Sequence, residues 1–179
     1  MKIDLFSTPI WIGNIDASKV NLIEQEAKPT FGSEVHTTFN NSFGSSIYEE
    51  SIKYVYEVII SILDETIKNP YTLKLLNIWE NKYRKNDFQE KHTHPGSDLS
   101  FVIYKKVKES NTVFVNPAEK IIEAFYFSCE RKQNLFGPVL FSPKCRENQI
   151  VIFPSYLEHY VKKTSNALTI AGNLKLEFK

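Results

Sequence analysis

Apolar side chains recur at every third or fourth position between residues 46 and 69. Ile52, Val55, Tyr56, Ile59, Ile60, Leu63 and Ile67 fall on one face, the spacing of an amphipathic helix laid against a core. Ser45 or Ser46 stands where a cap is needed, and Glu49 and Glu50 suit the positive end of the helix dipole. Asn69-Pro70 closes the segment. A weaker helical pattern, Val20, Leu22, Ile23 and Ala27, covers residues 16–27, with Asp16 or Ser18 as its cap. Residues 28–46, rich in Gly, Ser, Asn and Thr, read as loop.

The period changes on either side of these helices. Residues 5–12 form a short apolar run broken by Pro9, which predicts an edge strand. From Tyr71 onward the chain reads as short extended segments punctuated by Pro, Gly and Asn. The predicted strands cover 72–84, 99–107, 112–115, 123–129, 138–141, 149–153, 158–163 and 168–178. About eight strands with this punctuation predict an all-β sandwich or jelly roll, so the fold class is mainly β with flanking helices.

Composition narrows this picture. The 179 residues can bury a sizeable core as a single domain. A net charge of +1 gives no general pull toward nucleic acid or acidic membranes, and no nucleic-acid or membrane partner is expected. No stretch approaches the roughly 18 apolar residues of a membrane span, and the start of the chain has no signal-peptide pattern. Cys129 and Cys145 form neither a disulfide framework nor a zinc-finger spacing, which fits a cytoplasmic setting. A homodimer is compatible with these numbers.

The chemistry gathers in two stretches. Three of the four histidines lie in them: His92 and His94 in one, His159 in the other. In an extended segment the side chains of His92 and His94 share a face. Pro95-Gly96 then turns the chain, and His159 follows an apolar run ending at Phe153-Pro154. Two imidazoles from one segment and a third from another strand can chelate a transition metal and leave positions open for reactants. Asp98, four residues past His94, is the alternative carboxylate ligand if the turn folds back. Glu90 would share the histidines' face if the strand starts early.

These stretches, with further landmarks, resemble the 2-oxoglutarate and iron(II)-dependent oxygenases, in the bacterial and phage branch allied to the prolyl hydroxylases. The residues that carry the resemblance run nearly the length of the chain. They are Leu5-Phe6-Ser7-Thr8-Pro9, Trp79-Glu80-Asn81, His92-Thr93-His94-Pro95-Gly96-Ser97 with Leu99-Ser100 and Tyr104, Asn116-Pro117, Phe153-Pro154-Ser155 with His159, and Asn173. The resemblance implies a double-stranded β-helix, or cupin-like jelly roll, over residues 71–179, with helical support from 16–69. It implies Fe(II) as metal, 2-oxoglutarate as cosubstrate, and hydroxylation of a small-molecule or peptidyl substrate. Asn81, Tyr83, Tyr104, Lys162 and Asn173 are then the candidate cosubstrate contacts.

One departure stands out. The family places an Arg or Lys about eight to ten residues after the distal histidine, to hold the far carboxylate of 2-oxoglutarate in a charge-assisted pair. Here those positions read Ala167, Leu168 and Thr169. Lys162, Lys163 and Lys175 are the nearest basic residues. A cupin-type metalloprotein that does not use 2-oxoglutarate also fits the spacings of His92, His94, Asp98, Pro154 and His159. A degenerate binding module of the same fold is the non-enzymatic alternative.

Overall fold

The computed structural model describes residues 7–23, 26–29, 35–39, 47–126 and 138–178. Eleven strands are named in chain order: β1 Trp11–Asn14, β2 Lys28–Pro29, β3 His36–Thr37, β4 Tyr71–Tyr83, β5 Gln89–His92, β6 Leu99–Lys106, β7 Thr112–Val115, β8 Leu140–Phe141, β9 Gln149–Pro154, β10 His159–Val161 and β11 Ala167–Phe178. Two helices join them, α1 Glu49–Leu63 and α2 Glu119–Tyr126. The strands pair antiparallel in a seven-stranded sheet ordered β1-β9-β6-β11-β4-β3-β2 and a four-stranded sheet ordered β5-β10-β7-β8.

The larger sheet has two different faces. One packs under α1, where Val55, Ile59 and Leu63 meet Phe101, Ile103, Ile150, Ile152, Ile170 and Leu174 in the main core. The other face looks toward the smaller sheet, and Tyr104, Val151 and Phe153 share a second apolar cluster with Phe114 of β7. Strand alternation sorts the residues: even positions of β11 such as Ile170 and Leu174 go to the helix side, odd positions such as Thr169 and Ala171 line the space between sheets.

A bulge makes β4 obey the same sorting. Asn173 pairs with Asn77 and Leu174 with Leu75, so Leu76 is the extra residue and stands 42% exposed. One extra residue reverses which parity faces inward. Before it, Leu73 and Leu75 pack on the helix side; after it, Trp79, Asn81 and Tyr83 face the space between sheets. At Gly172 a Cβ would lie 2.5 Å from Phe101 Cζ, so the position admits no side chain without displacing a core ring.

Several expectations are corrected. The segment placed at 123–129 as a strand is helical through Tyr126. Asn116 accepts the Ala118 N–H through Oδ1 at 2.9 Å and the Glu119 N–H through its carbonyl at 2.8 Å, with Pro117 between. That cap starts a helix before the aromatic run begins. Among the described residues the weak helix expected at 16–27 is a single 3₁₀ turn, Ala17–Lys19, capped by Asp16. Its apolar residues serve other contacts: Val20 is in the core, and Leu22 bridges to Ile47.

The long helix spans Glu49–Leu63 rather than 46–69. Tyr48 occupies its N-cap position without a side-chain bond, and the serines expected to cap it lie outside the described residues. In the loop expected at 28–46, β2 and β3 add two short strands at the sheet edge, with His36 opposite Lys82. Leu5, Phe6, Cys129 and residues 130–137 lie outside the described residues.

Candidate metal centre

His92 ends β5 and His159 begins β10, and the two are direct cross-strand neighbours in the smaller sheet. Their ring centroids lie 4.3 Å apart. His94 follows two residues past the strand. Its N–H donates to the Ser155 carbonyl at 2.9 Å, and its carbonyl accepts the Ser97 hydroxyl at 2.7 Å. Gly96 takes φ +88°, which L side chains rarely adopt, so this tight turn needs glycine. The turn brings the His94 ring against that of His159, with centroids 5.1 Å apart and planes 19° apart.

Backbone carbonyls set the imidazole tautomers. His92 Nδ1 donates to the Glu90 carbonyl at 2.7 Å, and His159 Nδ1 donates to the Leu157 carbonyl at 2.9 Å. A carbonyl can only accept, so Nδ1 carries the proton and Nε2 keeps its lone pair. The three ligand atoms lie within 4.8 Å of one another, and His94 Nε2 is 3.3 Å from His159 Nε2. Two imidazole nitrogens sharing an ion at about 2.1 Å each, at angles near 90–110°, lie roughly 3.0–3.4 Å apart. The donor set therefore fits a transition-metal ion.

Electrostatics favour the same use. Burial, followed by the neighbouring charge of His92, lowers the pKa of His94 to about 4. Burial also lowers that of His92, against the pull of its bond to the Glu90 carbonyl. His159 is held well below the ordinary histidine range, mainly by burial and then by His92. All three rings are neutral at pH 7, the form that binds metal.

The three histidines line a narrow cavity between the two sheets with a volume of about 40 Å³. Trp79 and Phe153 wall it near the rings, Trp79 5.7 Å from His94 and Phe153 4.8 Å from His159, centroid to centroid, and Phe114 backs the His159 ring at 5.9 Å. Phe39, just past β3, packs edge-on against Trp79 at 4.9 Å. The remaining lining mixes apolar residues, Val102, Val107, Val161 and Ala171 among them, with uncharged polar ones, and Glu109 is the one acidic residue among its described residues. Tyr104, Thr169 and Asn81 form one row across β6, β11 and β4. Ser110 donates to the Tyr104 hydroxyl at 2.9 Å, and Tyr104 donates to Thr112 Oγ1 at 3.0 Å. Tyr83 donates to Gln89 Oε1 at 3.0 Å, which leaves the Gln89 amide nitrogen 3.4 Å from His92 Nε2.

Not every predicted residue reaches this place. Asn81, Tyr83 and Tyr104 line the cavity with the three histidines. Asp98 does not join them: its Oδ1 accepts from Lys175 Nζ at 2.9 Å and its Oδ2 from the Leu176 N–H at 2.8 Å. The loop does fold back, but toward β11. Lys162 is exposed and outside the cavity lining. Asn173 is buried within the sheet, donating to Asn77 Oδ1 at 2.9 Å and accepting from Ser100 at 2.8 Å. It too is outside the lining. Gln89, Ser110 and Thr112 escaped the sequence reading, since only strand pairing brings these ordinary polar residues to the histidines.

Residues 77–170, just over half of the chain, match the family described as "Putative 2OG-Fe(II) oxygenase". The chain belongs to the 2OG-Fe(II) oxygenase family. This oxygenase is an Fe(II)- and 2-oxoglutarate-dependent enzyme, and the match spans all three histidines. Among solved structures it is similar to HygX from Streptomyces hygroscopicus with nickel, 2-oxoglutarate and hygromycin B bound, at 10% identity and TM-score 0.56, covering 94% of this chain and 83% of that one. It is also similar to an oxidoreductase of the 2OG-Fe(II) oxygenase family from Burkholderia pseudomallei, at 12% identity and TM-score 0.50, covering 83% of this chain and 71% of that one. At these identities the likeness shows the fold, the expected double-stranded β-helix. No curated protein matches the chain by sequence.

Proposed function

We propose that the oxygenase hydroxylates a small-molecule or peptidyl substrate at an iron ion held by His92, His94 and His159, within one oxygenase domain spanning residues 1–179. One observation carries this reading: three imidazoles whose ligand atoms lie within 4.8 Å of one another, two of them 3.3 Å apart, meet inside a family that works with ferrous iron. HygX, of the same fold, is seen with nickel and 2-oxoglutarate together.

When bound, iron and 2-oxoglutarate supply oxygen activation, coupling hydroxylation of a C–H bond to decarboxylation of the 2-oxo acid. The chain's own residues prepare the place. The carbonyls of Glu90 and Leu157 lock two rings by their Nδ1 protons, so both Nε2 atoms face one point without reorganisation. The turn at Gly96 and the bond to Ser155 bring the third ring. Trp79, Phe114 and Phe153 keep bulk water from the rings on the buried side. The Gln89 amide, anchored by Tyr83, can donate a hydrogen bond to a group beside His92.

The test is consumption of 2-oxoglutarate by the full chain with ferrous iron and oxygen, with succinate measured as product. Iron-dependent turnover that His159→Ala removes supports the reading. Turnover unchanged in that variant contradicts it.

A further inference from the structure

The cavity next to the histidines holds no lysine or arginine among its described lining residues; the one charged residue there, Glu109, is exposed. At the level where the family's base is expected stand Ala167 and Thr169, which line the cavity, and Leu168, which does not. A dianionic cosubstrate buried without a counter-charge would be costly. The metal set departs in turn from that of most non-haem iron oxygenases: the usual set has two histidines and one carboxylate, and here the third group is the imidazole of His94.

The two departures offset each other. A divalent ion with a carboxylate ligand carries one net positive charge, and a basic anchor adds a second. A divalent ion on three neutral imidazoles carries both by itself. Either arrangement balances the two negative charges of 2-oxoglutarate. What the present cavity must still supply is hydrogen bonding for the far carboxylate, and it has unspent capacity of that kind. The Ser110–Tyr104–Thr112 relay ends on Thr112, whose own hydroxyl proton is left to donate onward. The Thr169 hydroxyl has no hydrogen bond among the described residues. Asn81 is 4% exposed, and its amide oxygen is buried without a partner. An amide so placed is unsatisfied as it stands, and it meets a carboxylate by turning its NH₂ to it.

Resting on the iron reading above, we propose that His94 and three uncharged donors, Thr112 of β7 with Thr169 of β11 and Asn81 of β4, form one charge-matched unit. The far carboxylate of 2-oxoglutarate is received by neutral donors, and the charge it needs comes from the metal because His94 is not a carboxylate. Neither change works alone. A carboxylate at 94 leaves the cosubstrate one positive charge short, and a lysine at 169 then restores it.

The experiment uses the full chain loaded with nickel(II), which is stable in air, and measures metal content and binding of two acids by calorimetry. The acids are 2-oxoglutarate and 2-oxopentanoate, which has a methyl group where the far carboxylate would be. Thr112→Val and Thr169→Val each weaken 2-oxoglutarate about tenfold or more, as expected for a lost bond to a charged group, and leave 2-oxopentanoate unchanged. His94→Asp keeps the metal and weakens 2-oxoglutarate by about 100-fold. Adding Thr169→Lys to His94→Asp recovers most of that loss, a larger gain than the same lysine gives beside His94. Equal 2-oxoglutarate affinity in His94→Asp and wild type, or no recovery on adding the lysine, overturns the charge-matched unit and leaves the iron reading standing. Nickel-loaded wild type that binds no 2-oxoglutarate overturns both.

Discussion

Replacing Asp98 by alanine separates a structural role from a metal-binding one. The side chain makes two bonds to β11, one to Lys175 Nζ at 2.9 Å and one to the Leu176 N–H at 2.8 Å. The ion pair is 44% and 36% exposed on its two sides, so water screens it, and its share is about 0.5 kcal/mol. The bond to the backbone N–H is charge-assisted and contributes about 1–2 kcal/mol. The sum of about 1.5–2.5 kcal/mol, divided by an unfolding entropy of about 2.1 cal/mol/K per residue, lowers Tm by about 4–7 °C for a chain of this length.

The sign with pH follows from the same contacts. The Leu176 N–H first, and then Lys175, hold the Asp98 carboxyl below its ordinary value. Its contribution is therefore complete above the unfolded pKa of about 3.9 and is lost as pH falls through the lower folded value. Thermal unfolding followed by circular dichroism should show the full gap between wild type and Asp98→Ala at pH 7, narrowing in acid below about pH 4. Metal content at pH 7 should be unchanged. A variant that unfolds like wild type but loses its metal would refute the reasoning and make Asp98 a ligand.

Three further substitutions probe the frame. Gly172→Ala drives a methyl group into the Phe101 ring, 2.5 Å from Cζ, and should cost about 1–3 kcal/mol, lowering Tm by about 3–8 °C; adding Phe101→Leu should return part of the loss. Gly96→Ala strains the turn at φ +88° by about 1–2 kcal/mol, and because that turn places His94 it should weaken nickel binding measured by calorimetry as well as lower Tm. Asn116→Ala removes the cap of α2 and should cost about 1 kcal/mol, or about 2–4 °C in Tm.

The sequence carried more of the centre than of its surroundings. His92, His94 and His159 were legible because two of them share a short extended segment and the third follows an apolar strand. The strands from 72–84 onward were legible wherever alternation or β-branched residues marked them, as in β7, Thr112–Val115, where prediction and structure coincide. Where local pattern competed with a tertiary contact, the contact won. The aromatic run after residue 122 looked extended, yet the Asn116 cap and Pro117 had already started α2. Val20 and Leu22 mimic one helix face but are consumed by the core and by a bridge to Ile47. Asp98 has the spacing of a ligand, and nothing local says that its partners lie 77 and 78 residues away. The bulge at Leu76 was equally hidden, and it turns Asn81 and Tyr83 toward the histidines. The hydroxyls of Ser110, Thr112 and Thr169 acquire meaning only when the two sheets face each other across the cavity.

The most direct test of the iron centre is an anaerobic titration of the ferrous full chain with 2-oxoglutarate, followed by visible absorbance. The account predicts a charge-transfer band that saturates at one 2-oxoglutarate per iron in wild type and is absent in His159→Ala, which should hold no iron. Wild-type protein that takes up iron yet gives no band, or His159→Ala with full iron and the same band, would contradict it.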